Sequence, residues 1–155
     1  MEIVVNNRQR RVPVRLGWIC KAAEAALAEC VRHSGDGLFA LKQAPHVEVA
    51  IVSDEVISRV HEDFMGVPGA TDVITFDHGE IVISAETAQV YAKQHKHPVE
   101  DELALYIIHG LLHLNGYDDR TAAAKKQMFQ VQGKIWQSVR AATGPSQREH
   151  GRDRD

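Results

Sequence analysis

Apolar positions along the chain recur in two periods, and the switches between them mark the elements. Ile3-Val4-Val5 and Val12-Pro13-Val14 flank a polar turn, which predicts a first strand and its approach. From Leu16 to about His33, the residues Ile19, Ala23, Ala26, Leu27 and Cys30 return at helical spacing, and Ser34-Gly35-Asp36-Gly37 stops that helix. Between His46 and Ser53, Val47, Val49 and Ile51 alternate with His46 and Glu48 before the run continues apolar through Val52, as in a strand. Ser53-Asp54 can cap a helix whose inner side is Val56, Ile57, Val60 and Phe64, with Gly66-Val67-Pro68-Gly69 as its end. Thr71-Asp72-Val73-Ile74-Thr75-Phe76 and Glu80-Ile81-Val82-Ile83 are β-rich, and the short link Asp77-His78-Gly79 makes them an antiparallel hairpin. Ser84 caps a helix reaching about His95, with Glu86 in its first turn.

Pro98 then opens a helix where its missing N–H costs little, followed by Glu100, Asp101 and Glu102 beside the positive end of the helix dipole. Leu103, Ala104, Leu105, Ile107, Ile108, Leu111, Leu112 and Leu114 surround this helix almost completely, which places it at the centre of a domain. One polar stripe breaks the apolar surface: Glu102, Tyr106, His109 and His113. A last amphipathic helix, from Thr121 to about Thr143, turns Met128, Val131, Ile135 and Val139 inward. The segment Ser146 to Asp155 has no apolar residue and mixed charge, so residues 1–145 are expected to form the domain and 146–155 a disordered tail, His150 included.

Composition changes this picture little. A chain of 155 residues with 44% apolar and 25% charged content is ordinary for one globular domain. No apolar run approaches the roughly 20 residues of a membrane span, and the N-terminus lacks signal-peptide character, so a cytoplasmic protein without membrane contact is expected. Cys20 and Cys30 fall in one helix about 15 Å apart, too far to pair, and are expected to be reduced and buried. The net charge of −3 gives no support to nucleic-acid binding. The cluster Arg8, Arg10, Arg11 and Arg15 can touch phosphates, although a solvated turn accounts for it as well.

The chemistry concentrates between His109 and Asp119. His109 and His113 are four apart and so share a helix face, with Cβ atoms roughly 5–6 Å apart, a spacing that lets two imidazoles reach one metal ion. Gly116 can take the left-handed conformation that ends the helix and returns Asp118 and Asp119 toward the same point. The competing reading is a pair of hydrogen-bonded histidines packed in the core. Two helical histidines, a glycine turn and a third ligand also match the zincin pattern, but the zincin glutamate would fall at Gly110, which disfavours a peptidase.

The stretch His109-Gly-Leu-Leu-His113-Leu-Asn-Gly116-Tyr117-Asp118 resembles the His-Gly-x-Leu-His-Leu-x-Gly-Tyr-Asp-His signature of the YbeY endoribonucleases, the bacterial rRNA maturation factors. Thr71-Asp72-Val73-Ile74-Thr75-Phe76 is similar to the family's Thr-Asp-Val-Leu-Ser-Phe, and Gly79-Glu80-Ile81-Val82-Ile83 to its Gly-Asp-Ile-Val-Ile, with order and spacing agreeing from about Val47 to Trp136. The resemblance implies a single-domain α/β (α+β) protein, in which a small mixed sheet with an antiparallel hairpin packs around a central buried helix. It also implies one bound Zn²⁺ and a single-strand-specific endoribonuclease that matures the 3′ end of small-subunit rRNA and serves ribosome quality control. The implied partners are rRNA, the small ribosomal subunit, small-subunit proteins and a ribosome-assembly GTPase.

Two positions depart from the family. Its third histidine ligand aligns with Asp119, a carboxylate that can also bind zinc, and its Tyr-Arg-Gly context reads Phe64-Met65-Gly66, so that if the family's arginine steadies a phosphate, this chain must use another cation or is impaired. The expected site is therefore His109, His113 and Asp119 around Zn²⁺, activating a water for attack on a phosphodiester. Asp118 is a candidate to orient a histidine or to cap the turn, Asp72 or Glu80 to act as base, and Thr75, His61 and His78 to touch substrate. Two other classes stay open: a ribosome-associated assembly or binding factor with weak or no nuclease activity, and a zincin-like metallopeptidase.

Overall fold

A computed structural model describes residues 1–32 and 40–147, so the Ser34–Gly37 stop and residues 148–155, His150 among them, lie outside the described residues. The elements follow in the order β1 (Ile3–Asn7), α1 (Leu16–Arg32), α2 (Ala40–Gln43), β2 (Val47–Val52), α3 (Asp54–Met65), β3 (Val73–Phe76), β4 (Glu80–Ser84), α4 (Ala85–His95), α5 (Val99–Leu114) and α6 (Ala122–Thr143). The short helix α2, which buries Leu41 completely, is an element that the sequence pattern does not announce.

The strands form one four-stranded sheet in the order β1-β2-β4-β3. β1, β2 and β4 run parallel, so each of their connections must cross over, through α1 and through α3. β3 is the exception, pairing antiparallel with β4 from Val73 opposite Ile83 to Phe76 opposite Glu80. This is the anticipated hairpin. Gly79 sits at its turn with φ 105°, and a Cβ there would meet the His46 carbonyl oxygen at 2.8 Å.

Residue alternation decides what each sheet face covers. Val47, Val49, Ile51, Ile81 and Ile83 face a large core shared with α1, α5 and α6. Ala50, Val52, Ile74 and Val82 face a smaller core closed by Ile57, with Val56 and Val60 packed against it. Burial on both faces explains why β2 loses its polar alternation after Glu48. The inner side expected for α3 is only partly correct: Ile57 is fully buried, whereas Phe64 is 71% exposed. Phe64, in the last turn of α3, meets the Phe76 ring edge-to-face at 5.4 Å and is otherwise largely open to solvent.

α5 buries 12 of its 16 residues. It packs against α1, α4 and α6 as well as β3 and β4. Its first turn is also inside. Pro98 is the N-cap rather than the first helical residue, and Glu100 and Asp101 are buried at 1% and 5% exposure instead of solvated. Glu100 accepts hydrogen bonds from the Arg15 backbone N–H (2.8 Å) and from Gln147 Nε2 (3.0 Å). Asp101 accepts from the Ser146 hydroxyl and pairs with Arg140 at 3.4 Å. These bonds correct the expected start of the tail: Ser146 is 2% exposed and docks on α5, so ordered contacts continue past residue 145. Cys20 and Cys30 are both free; Cys30 is buried as expected, and Cys20 only half-buried.

Candidate metal centre

The end of α5 is built by backbone bonds that the sequence foreshadows. The Asn115 N–H donates to the Leu111 carbonyl, the Tyr117 N–H reaches back to the Leu112 carbonyl at 3.0 Å, and Gly116 turns the chain at φ 96°. Asn115 Nδ2 fastens this turn to α1 by donating to the Cys30 carbonyl at 3.0 Å. The turn then brings Asp119 back, so that one donor atom each from His109, His113 and Asp119 lies within 4.8 Å of the others.

The two imidazoles are held in defined tautomers. His113 Nδ1 faces the Tyr117 backbone carbonyl at 3.1 Å, and His109 Nδ1 faces Gln132 Oε1 on α6 at 3.1 Å. Each Nδ1 therefore donates, and each Nε2 presents a lone pair. Those Nε2 atoms lie 3.1 Å apart, with the rings nearly perpendicular at 80°. Two unprotonated acceptors at this separation repel one another unless a cation lies within reach of both. With the Asp119 carboxylate alongside, the donor set of two imidazoles and one carboxylate suits a zinc-type ion, and the residues fit the group the resemblance implies.

Burial and the neighbouring His109 push the His113 pKa below its ordinary value, with Asp119, the Tyr117 carbonyl and Asp118 pulling the other way. Neutral imidazole is the ligating form. In the metal-free chain the folded state then binds fewer protons than the unfolded one as pH falls below the unfolded value of 6.5. The stability contributed by neutral His113 is present above that pH and is lost toward the lower folded pKa. Chelated protein should accordingly show a lower urea midpoint at pH 5.5 than at pH 7.5, with the difference reduced in His113→Gln; equal slopes in the two proteins would remove His113 as the cause.

The histidines open into a cleft of about 590 Å³ between the end of α5 and the β3 edge, lined by Asp72, Thr75, Asp77, Asp118 and Asp119 among others. Asp72 and Thr75 thus reach the site as expected. Glu80 does not: it is absent from the lining and bonds His78 at 3.1 Å near the hairpin turn, which corrects its candidacy as a base. His78 stays with it, stacked on Phe76. Asp118 takes the turn-capping alternative, accepting from the Arg120 N–H at 3.0 Å. His61 and Met65 line the cleft, whereas none of Arg8, Arg10, Arg11 and Arg15 does. Arg120, unremarked in the sequence, supplies the one Arg or Lys among the lining residues, and Lys125 borders a smaller recess beside His109 and Asp119. Gly110, beside His109 on α5, faces Ile81; a Cβ there would lie 2.9 Å from two of its side-chain carbons. A glutamate at the zincin position would enter the core and miss the cleft.

The profile of the family described as endoribonuclease YbeY matches residues 5–140. The chain belongs to the YbeY family. The endoribonuclease YbeY of Renibacterium salmoninarum is 34% identical over 139 residues, spanning 77% of this chain and 88% of that protein. The endoribonuclease YbeY of Helicobacter pylori is 44% identical over 80 residues, 46% of this chain and 57% of that protein. The solution structure of TM1509 from Thermotoga maritima matches with a TM-score of 0.62 and 26% identity over 90% of each chain. The mixed α/β architecture is thus shared with that structure. No helix among the described residues is long and apolar enough to cross a membrane.

Proposed function

We propose that this YbeY family member is a zinc-dependent endoribonuclease that cuts single-stranded rRNA near the 3′ end of the small-subunit species, within ribosome maturation and quality control. The observation that carries the reading is the pair of facing Nε2 atoms of His109 and His113, each freed for ligation by a hydrogen bond on Nδ1. His109, His113 and Asp119 hold the ion. When bound, it polarises a phosphoryl oxygen and lowers the pKa of a coordinated water.

The chain's own groups do the rest. Gln132 and the Tyr117 carbonyl fix the two rings. Arg120 and Lys125, bordering the histidines from the α6 side, take the place of the cation missing at Met65 and hold backbone phosphates. Asp72, in the cleft and half-buried, is the carboxylate placed to accept a proton from the attacking group. The open β3 edge admits one extended strand, which favours unpaired RNA. Cytoplasmic location and contact with the small subunit, its proteins and an assembly GTPase belong to the same reading.

Asp119 is the ligand that sets this chain apart. Asp119→Ala should lower zinc affinity by about 10–100-fold and weaken cleavage of an rRNA precursor in parallel, whereas Asp119→His should retain or tighten zinc binding. Zinc titration followed by mass spectrometry, with a cleavage assay on the same preparations, reads both. Unaltered affinity in Asp119→Ala removes it from the ligand set. A second reading, an assembly factor that binds without cutting, draws on exposed Phe64, Met65 and Val67 at the end of α3. Subunit binding that persists after chelation, with no cleavage at any zinc level, favours that reading.

A further inference from the structure

The polar stripe of α5 begins two turns before His109, and at that end it meets a second group of donors. His95 closes α4, His97 follows in the loop, and Glu102 lies in the first turns of α5. One ring nitrogen from each histidine and one carboxylate oxygen of Glu102 lie within 4.8 Å of one another. We propose that His95, His97 and Glu102 form a second site for a zinc-type divalent ion, separate from the cleft and independent of its reading.

The hydrogen bonds of the two rings repeat the logic of the cleft. His95 Nδ1 faces the Tyr91 carbonyl at 2.9 Å and His97 Nδ1 faces the Pro98 carbonyl at 3.1 Å. Both Nδ1 atoms therefore donate to backbone, and both Nε2 atoms are free to ligate. His97 Nε2 lies 3.1 Å from Glu102 Oε1, which sets a lone pair against a carboxylate oxygen; a cation on that nitrogen resolves the contact. A proton could serve there, giving a simple ion pair, but a proton gives His95 nothing to do. The His95 ring is instead laid parallel to that of His97, at 5.9 Å and 10°, with Tyr91 stacked on its other side. The chain achieves this by turning at Lys96 with φ 59°, the one non-glycine residue in the left-handed region among those described.

Glu102 is 9% exposed, and a carboxylate taken that far from water needs a positive partner. Tyr106, one turn along the same face, turns a buried hydroxyl toward Glu102, and burial first and Glu102 second keep its phenol protonated well above the ordinary range. His95 is exposed, which leaves a route for the ion to arrive. Glu102 and His109 are seven residues apart, about 10 Å along the helix, so the two sites are not a bridged two-metal centre. The second ion would act as a clamp, fastening the end of α4 to the start of α5.

Zinc titration of the tag-free full chain tests the site. The background is His109→Ala with His113→Ala, which silences the cleft; mass spectrometry and melting temperature are the readouts. One zinc per chain and a raised melting temperature are expected, both lost on adding His95→Ala and His97→Ala. Glu102→Gln, which keeps the side-chain shape, should weaken binding by about tenfold or more. His95 lies on the surface, so His95→Ala alone leaves the core intact and should also weaken it. Zinc affinity unchanged by either the histidine pair or Glu102→Gln overturns the site, the second outcome leaving no more than a surface histidine pair.

Discussion

His113→Ala should fold, lose the zinc of the cleft and lose RNA cleavage by about a thousandfold or more. His113 is half-buried, and its removal leaves the Tyr117 carbonyl without its 3.1 Å partner, a cost of about 1 kcal/mol that a domain of this size tolerates. The loss of function is larger than the loss of stability because one of two facing imidazoles disappears. The remaining His109 Nε2 and Asp119 cannot by themselves match the affinity of three ligands. Zinc content after dialysis, cleavage of a single-stranded rRNA precursor and the urea midpoint should be measured on one preparation. Zinc content per chain undiminished from wild type with the cleft ligand removed would defeat the assignment. Cleavage surviving in a variant that has lost the cleft zinc would show that the activity belongs to something other than this cleft. Gln132→Leu provides a graded companion: it frees the His109 ring without deleting it, and should weaken zinc binding by about tenfold.

How much of this centre was legible in the sequence depends on the range over which each part is determined. His109, His113 and the turn at Gly116 are set by helical geometry within eight residues, and their placement follows from spacing alone. Gln132, which fixes the His109 tautomer, comes from α6 and has no local pattern linking it to α5. The same holds for Arg120 and Lys125, whose relevance depends on how the chain returns after Gly116. Glu80 misled because strand alternation fixes the face of a residue without fixing its distance from a helix end; its neighbour in space is His78.

The fold shows the same division. Strand and helix periods and caps identified β1, β2, β3, β4, α1, α3, α4, α5 and α6, since each buries one or two faces against a large neighbour. Glu100 and Asp101 look like solvated partners of a helix dipole, and only the docking of Ser146, Gln147 and the Arg15 backbone makes them interior. Phe64 has the period of a core residue, but only the end of the edge strand, at Phe76, lies beside it and it stays largely exposed. A sequence period states which side would be buried. Whether something covers that side is decided by the size of the opposing layer.

Gly110→Glu carries the largest structural consequence. It recreates the His-Glu-x-x-His spacing of a zincin, and sequence logic alone would expect a gain of peptidase chemistry. The packing forecasts the opposite. Gly110 packs against β4, and even a methyl group there would sit 2.9 Å from the Cδ1 and Cγ2 atoms of Ile81. Ile81 is fully buried and β-branched, held between α5 and the sheet, so it cannot swing aside cheaply. A glutamate adds its remaining bulk and an uncompensated carboxylate to that contact, and the expected destabilisation is roughly 3–5 kcal/mol. Gly110→Ala, which adds the methyl alone, should cost about 1–2 kcal/mol after the gain in helix propensity is counted. Urea unfolding of the two variants should therefore rank Gly110→Glu well below Gly110→Ala and both below wild type, with no proteolysis of unfolded casein by either. A stable Gly110→Glu protein that cleaves casein in a zinc-dependent manner would mean that this face of α5 turns toward the cleft, and the architecture argued above would fall with it.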